Sequence, residues 1–221
     1  MTKRMIIPAL FGLVGCAVLI SLGVWQLKRL AWKESMLAQI EAQIGGDPVA
    51  VFSGPLEEFQ PVMAEGLITD QEIQVLTSIK QVGAGFRIVA AFETGGRRIL
   101  LDRGFVRQEA RNTPRPPVEA RIVGNFRTVD EADSYTPAPD IKANMWFARD
   151  VPAMAAALGT EPILIILSQS TEINPPVTPV PVNTAGIPNN HMGYAIIWFS
   201  LAIAWAGMTA FLLSRMRQRT T

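Results

Sequence analysis

Residues 191–213 read HMGYAIIWFSLAIAWAGMTAFLL, and no charged residue occurs from Met192 to Leu213. A helix rises about 1.5 Å per residue, so a run of this length crosses a hydrocarbon core of about 30 Å. A second uncharged run, MIIPALFGLVGCAVLISLGVW, extends from Met5 to Trp25. The chain is therefore read as two membrane helices, 5–25 and 192–213, enclosing a polar domain at 26–190 and followed by a basic tail at 214–221. With 49% hydrophobic and only 18% charged residues, the composition excludes a disordered or fibrous protein.

Charge placement orients the spans. Lys3 and Arg4 precede the first, Arg215, Arg217 and Arg219 follow the second, and no Lys or Arg lies between Arg149 and Arg215. Basic flanks stay in the cytoplasm, so the expectation is a multi-pass protein with both termini cytoplasmic and residues 26–190 outside. Lys28, Arg29 and Lys33 crowd the outer end of the first span, which leaves the second span to decide. The first run is long for a signal core and has no A-x-A site, so it is read as an uncleaved anchor. Without an Arg- and Ser-rich transit peptide, the expected location is a bacterial inner membrane with a periplasmic domain. That domain holds all 19 acidic residues and has a net charge of −4, which argues against a nucleic-acid partner. The one cysteine, Cys16, lies in the first span, so disulfide and thiol chemistry are excluded from the external domain.

Past the lipid, WQLKRLAWKESMLAQIEAQI continues the first helix, with no Pro or Gly until Gly45-Gly46. Trp25, Arg29 and Trp32 share one face at a 3.6-residue repeat. That face reads as an aromatic and basic interface anchor, or as a cationic ledge for an anionic group of a ligand. From Pro61 the pattern changes to strands: VMAEGLITDQEIQVLTSIK, FRIVAAFE and RRILLDRGFV around a Gly95-Gly96 hairpin turn, VEARIVGNFRTV and PILIILSQS. One helix interrupts them, with Asp150 as cap, Pro152 in the first turn and Gly159 at the end. TPRPPVE and NPPVTPVPVNTAGIPNN are read as connectors, the second a polyproline-like strap back to the membrane. The expected fold is a membrane α-helical hairpin carrying an extracytoplasmic β-rich α+β domain, for which a small barrel is one arrangement.

Little of this resembles an active site, and no enzyme is expected. Nucleophilic hydrolysis lacks its groups, with one histidine and no external cysteine; a Ser78/Lys80 pair on one strand face is a chance spacing. Ligand counts exclude zinc and c-type haem. VGAGFR lacks the third glycine and the helix of a dinucleotide loop. Asp102, Arg103 and Gly104 are read as a strand-end salt bridge and turn.

His191 is the remaining candidate. Behind Asn190 as N-cap it falls in the first helical turn, where the positive end of the helix dipole favours the neutral ring, the form that binds iron. Ala195, Trp198, Ala202, Trp205 and Thr209 share its face. Alternating small residues and indoles would leave room for a flat ring system; the other reading is close helix packing through the alanines.

Four stretches in order, LGVWQLKRLAWK, ILLDRGFV, NMWFARDVPAMAAALG and NNHMGYAIIWF, resemble the surfeit-locus family of cytochrome oxidase assembly factors over nearly the whole chain. The resemblance implies an assembly factor for haem–copper oxidases that binds haem a and assists its insertion or retention in oxidase subunit I. It puts the implicated histidine, the axial ligand of the haem iron, at His191. The family's characteristic tryptophan and basic neighbour fall on Trp25 and Arg29. Phe105 stands where the family also uses tryptophan. In the pose this suggests, His191 ligates iron between the helices beside Trp198, and the propionates approach Arg29 or Lys28. The implied partners are cytochrome c oxidase subunit I, other oxidase assembly or haem a synthesis proteins, and membrane lipid. The competing readings are a membrane scaffold that ligates no haem and a membrane-anchored periplasmic enzyme.

Overall fold

A computed structural model describes residues 3–80 and 82–218; of the expected basic tail, Arg219, Thr220 and Thr221 lie outside the described residues. The chain divides into a helical unit, 1–39 with 185–221, and a β-rich unit, 40–184.

In the helical unit, α1 (Lys3–Ile44) runs 42 residues, well beyond the apolar run, and Gly45-Gly46 ends it as expected. The last carbonyls are met by Gly45 N, which donates to Glu41 O at 3.0 Å, and by Gly46 N, which donates to Gln43 O at 3.3 Å. The second helix of this unit, α3 (His191–Gln218), has 28 residues and carries Arg215 and Arg217 in its last turn. Both helices are long and apolar enough to cross a membrane. Their apolar side chains face outward, as at Ile7 and Ile203.

The two pack antiparallel along a seam in which the less exposed positions of α1 recur every three or four residues: Gly12, Cys16, Leu19, Gly23, Gln26 and Leu30. A Cβ at Gly15 would overlap the Trp205 indole, one at Gly12 the Thr209 side chain, and one at Gly23 the Phe199 ring. Trp205 Nε1 donates to Gly12 O at 3.2 Å, and the Cys16 thiol points at Ala202 O, 3.9 Å away. Close backbone approach through small residues replaces the hydrophobic effect where lipid is as apolar as the side chains.

The β-rich unit is a mixed sheet of six strands: β1 (Val49–Ala50), β2 (Pro61–Ile79), β3 (Gly83–Thr94), β4 (Arg97–Arg107), β5 (Val118–Arg127) and β6 (Leu164–Ser170). Their order is β1-β2-β3-β4-β6-β5, and β5 also pairs with β2, so β2 to β6 close into a five-stranded ring. Closure depends on the length of β2, which spans 19 residues. Pro61 to Ile68 pair with β5, and Leu67 to Ile79 pair with β3. A register skip between Ile68 and Glu72 bends the strand from one neighbour to the other, and the Thr69 hydroxyl donates across it to Ala91 O at 2.9 Å. The barrel that the sequence allowed as one arrangement is the one formed.

Strands covered on both faces explain the unbroken apolar runs. Phe92, Ile99, Leu101, Ile122 and Ile165 fill the barrel interior. Their alternates Val89, Leu100, Leu164 and Ile166 meet Trp146 and Met154 outside it. Met154 belongs to α2 (Val151–Leu158), where the Asp150 carboxylate accepts from Ala153 N at 3.0 Å and Gly159 closes the helix, as expected.

One local expectation fails. Asp102 and Arg103 are not at a strand end: they sit within β4, both fully buried, around a bulge where Ile88 pairs with Gly104 and Val89 with Asp102. The two side chains have separate partners. Arg103 reaches Glu172, with Nη2 2.8 Å from both carboxylate oxygens. Asp102 takes Arg87 Nε at 2.8 Å and Arg149 Nη1 at 3.1 Å. Gly104 has φ 121°, and a Cβ there would strike Thr178 O of the proline-rich strap, so only glycine fits. Burial pushes the Asp102 carboxyl above the usual aspartate range, against the pull of Arg87 and Arg149.

Candidate functional site at the His191 end of the helix pair

His191 opens α3, and Tyr194 N donates to Asn190 O at 3.2 Å, which puts Asn190 at the N-cap position. The ring is partly exposed, and its Nδ1 lies 2.8 Å from Gln26 Oε1 on α1. An amide oxygen can only accept, so Nδ1 carries the proton and Nε2 keeps the lone pair. Gln26 is itself buried in the seam. The imidazole is thus oriented by a hydrogen bond at one nitrogen and open to a ligand at the other, which is how protein-held metal ligands are commonly set. Asn189, two residues earlier, has a buried Oδ1 with no hydrogen-bond partner among the described residues.

The other expected site residues surround this pair without bonding to it. Trp25 and Trp32 are 56% and 50% exposed, and Arg29 stacks over the Trp32 ring at 3.9 Å, so the expected shared face exists. It flanks the seam and does not enter it. Lys28 is exposed, and Trp198, lower on α3, is partly buried. Lys33 Nζ donates to Pro188 O, tying α1 to the segment just before α3. Trp25, Lys28, Arg29 and His191 therefore gather at one end of the helix pair, with three cationic side chains between residues 28 and 33.

On the His191 face the helices are closed beside Ala195 and Ala202, and the apolar pocket of about 410 Å³ that involves Trp205 and Thr209 lies at the opposite end of the pair, with Ile7, Pro8 and Phe11. Ala195 and Ala202 are buried, Trp205 and Thr209 occupy the notches left by Gly12 and Gly15, and Phe11 meets Trp205 with ring centroids 5.4 Å apart. Close packing describes the middle of that face, where Gly15 on α1 accepts the Trp205 indole and Gly12 the Thr209 side chain. The donor set at the end of the pair, one oriented imidazole with cationic neighbours, still fits an axial iron ligand with anionic substituents.

Sequence reasoning missed Gln26. Its signal is a lone amide on the same helix face as Gly12, Cys16 and Gly23, one turn beyond Gly23. Ser78 and Lys80 both lie exposed where β2 ends, with nothing that marks a nucleophile and its base. VGAGFR leads into β3 and is followed by no helix.

Comparison with known proteins agrees with this architecture. The chain is 29% identical to surfeit locus protein 1 of Xenopus tropicalis over 214 residues, covering 83% of this chain and 68% of that protein. It is 26% identical to surfeit locus protein 1 of Homo sapiens, over 83% of this chain and 70% of that protein. A SURF1-like protein of Drosophila melanogaster is 28% identical over 90% of this chain and 74% of its own length. The profile of the SURF1 family matches residues 13–203, which takes in most of α1, the whole β-rich unit and the His191 end of α3, and the chain belongs to that family.

Proposed function

We propose that this protein is an assembly factor for a haem–copper cytochrome c oxidase, and that it holds haem a through His191 while oxidase subunit I acquires or retains it. The observation that carries this reading is the His191–Gln26 contact at 2.8 Å, in which one imidazole nitrogen is fixed and the other left for a ligand. Arg29 and Lys28 supply positive charge at the same end of the helix pair and suit the carboxylates of such a ligand. Trp25, half exposed beside them, offers an aromatic surface. Bound haem a supplies the iron centre that the oxidase later uses; the residues here orient and neutralise, and no catalytic step is assigned to them.

The positive-inside bias supports both termini in the cytoplasm and the β-rich unit in the periplasm of an inner membrane. The partners in this reading are subunit I, the proteins that make haem a or assemble the oxidase, and the surrounding lipid. The test is purification in detergent after co-expression with haem a synthesis. The wild-type protein is expected to carry haem a, His191→Ala to lose it, and Arg29→Ala to hold it more weakly. Full haem content and an unchanged absorption spectrum in His191→Ala would remove the ligand assignment.

The packed seam favours a second reading. With Trp205 seated over Gly15 and Thr209 over Gly12, the two helices meet closely along the seam, as suits a scaffold that stabilises an oxidase intermediate without ligating haem. A His191→Ala strain with normal oxidase content and activity would favour the scaffold.

A further inference from the structure

Within the β-rich unit, three guanidinium groups converge on one cavity of about 230 Å³. Arg87 comes from β3, Arg127 from the end of β5, and Arg149 from the segment just before α2; Val129, Ile166 and Val182 form apolar wall. No carboxylate lines this cavity. The carboxylates that balance the arginines stand behind them. Asp102, with no exposed surface, takes Arg87 and Arg149 from the core side. Glu131 accepts from Arg149 Nε at 3.0 Å, and Glu58 pairs with Arg127 Nε at 2.6 Å.

These contacts hold the side chains in place while leaving donors unused. Arg87 is fixed by Asp102 and by Val180 O, which accepts from Nη2 at 3.2 Å; its Nη1 bonds to no protein atom among the described residues. Arg127 lies over the Phe59 ring at 4.5 Å, and its two terminal nitrogens are likewise unengaged by protein. A planar fork fixed through one edge presents the other to an oxyanion with little further loss of entropy. Two such forks, from Arg87 and Arg127, stand above an apolar floor beside Arg149, whose three nitrogens are held by Glu131 and Asp102, and match a group with several acceptor oxygens on a short carbon body.

We propose that the Arg87–Arg127–Arg149 cavity binds the carboxylate or phosphate group of a small anionic ligand. The volume lies below the roughly 300–1,000 Å³ usual for drug-sized ligands, so the occupant has only a handful of heavy atoms inside the cavity. The inference is independent of the haem reading, and either can fail without the other.

The test uses the full chain in detergent, titrated by calorimetry with succinate and with inorganic phosphate, with chloride at matched ionic strength as the control. Saturable binding of at least one of the two, not displaced by chloride, is the expected result, and the tighter of them identifies the group recognised. Arg127→Gln should weaken binding about tenfold, and Val182→Trp, which fills the cavity and removes no charge, should abolish it. Thermal melts of the free variants establish that both are folded. Absence of saturable binding by either anion, or equal binding by wild type and both variants, would overturn the proposal and leave the arginines as a structural ion-pair network.

Discussion

His191 Nδ1 and Gln26 Oε1 stand 2.8 Å apart although 165 positions separate them in the chain. The contact joins the first turn of α3 to α1 beside Trp25 and fixes the histidine's tautomer. Outer partners of metal-ligating histidines are worth roughly 10- to 100-fold in affinity. Gln26→Leu is accordingly expected to lower haem a content by about that factor with His191 intact, whereas Gln26→Glu, which keeps an acceptor, retains most of it. Haem content per protein from the visible spectrum reads both.

The seam makes a prediction that involves no haem. Cys16 Sγ lies 3.9 Å from Ala202 O, so oxidation of an Ala202→Cys variant should link the two helices in high yield. Adding Gly15→Leu, whose side chain cannot share space with the Trp205 indole, should force the helices apart and reduce that yield severalfold. Gel mobility after oxidation and protease nicking between the helices measures it.

Met154 is fully buried between α2 and the outer face of the barrel. Truncating such a residue costs about 2–5 kcal/mol through lost contacts and the cavity left behind. Met154→Ala should lower denaturant stability by that amount, while Ala156→Ser, at an exposed position on the same helix, should change it by less than about 0.5 kcal/mol.

Glu131 sets part of the acid response. Desolvation works to raise its carboxyl, but hydrogen bonds and charge from Arg149 outweigh that and hold it below the usual glutamate range. A depressed carboxyl contributes stability that is present above its unfolded value of about 4.3 and is lost as pH falls through its lower folded value. Thermal melts between pH 7 and pH 3 should therefore show a steeper acid decline in wild type than in Glu131→Gln. Equal slopes would mean that the Arg149 contact carries no net stability.

Much of the architecture was legible because its signals are local. Charge-free runs gave the two long helices, Gly95-Gly96 the hairpin, and Asp150 with Gly159 the bounds of α2. What stayed hidden depends on residues far apart in sequence. Nothing near Asp102 announces Arg87 or Arg149, and nothing near Arg103 announces Glu172, because these partners sit on other segments of the chain. At the candidate site the histidine could be read from its position, but the room beside it could not. That depended on whether the partner helix offers bulk or glycine to α3, and it offers Gly15 to the Trp205 indole, Gly12 to Thr209 and Gly23 to Phe199.

β2 is shared by two neighbours that are synthesised at different times. Its C-terminal half meets β3 across a short turn; its N-terminal half waits for β5, and the ring is complete only when Ser170 reaches Ile122. At about 5–20 residues per second, translation separates the end of β2 from the end of β6 by roughly 5 to 20 seconds. For that interval the nascent chain presents an open apolar trough with unsatisfied edges, and long-range pairing sets its folding rate. Slowing elongation beyond residue 79 would lengthen the exposure, and the cell's quality control would meet this protein first at those edges.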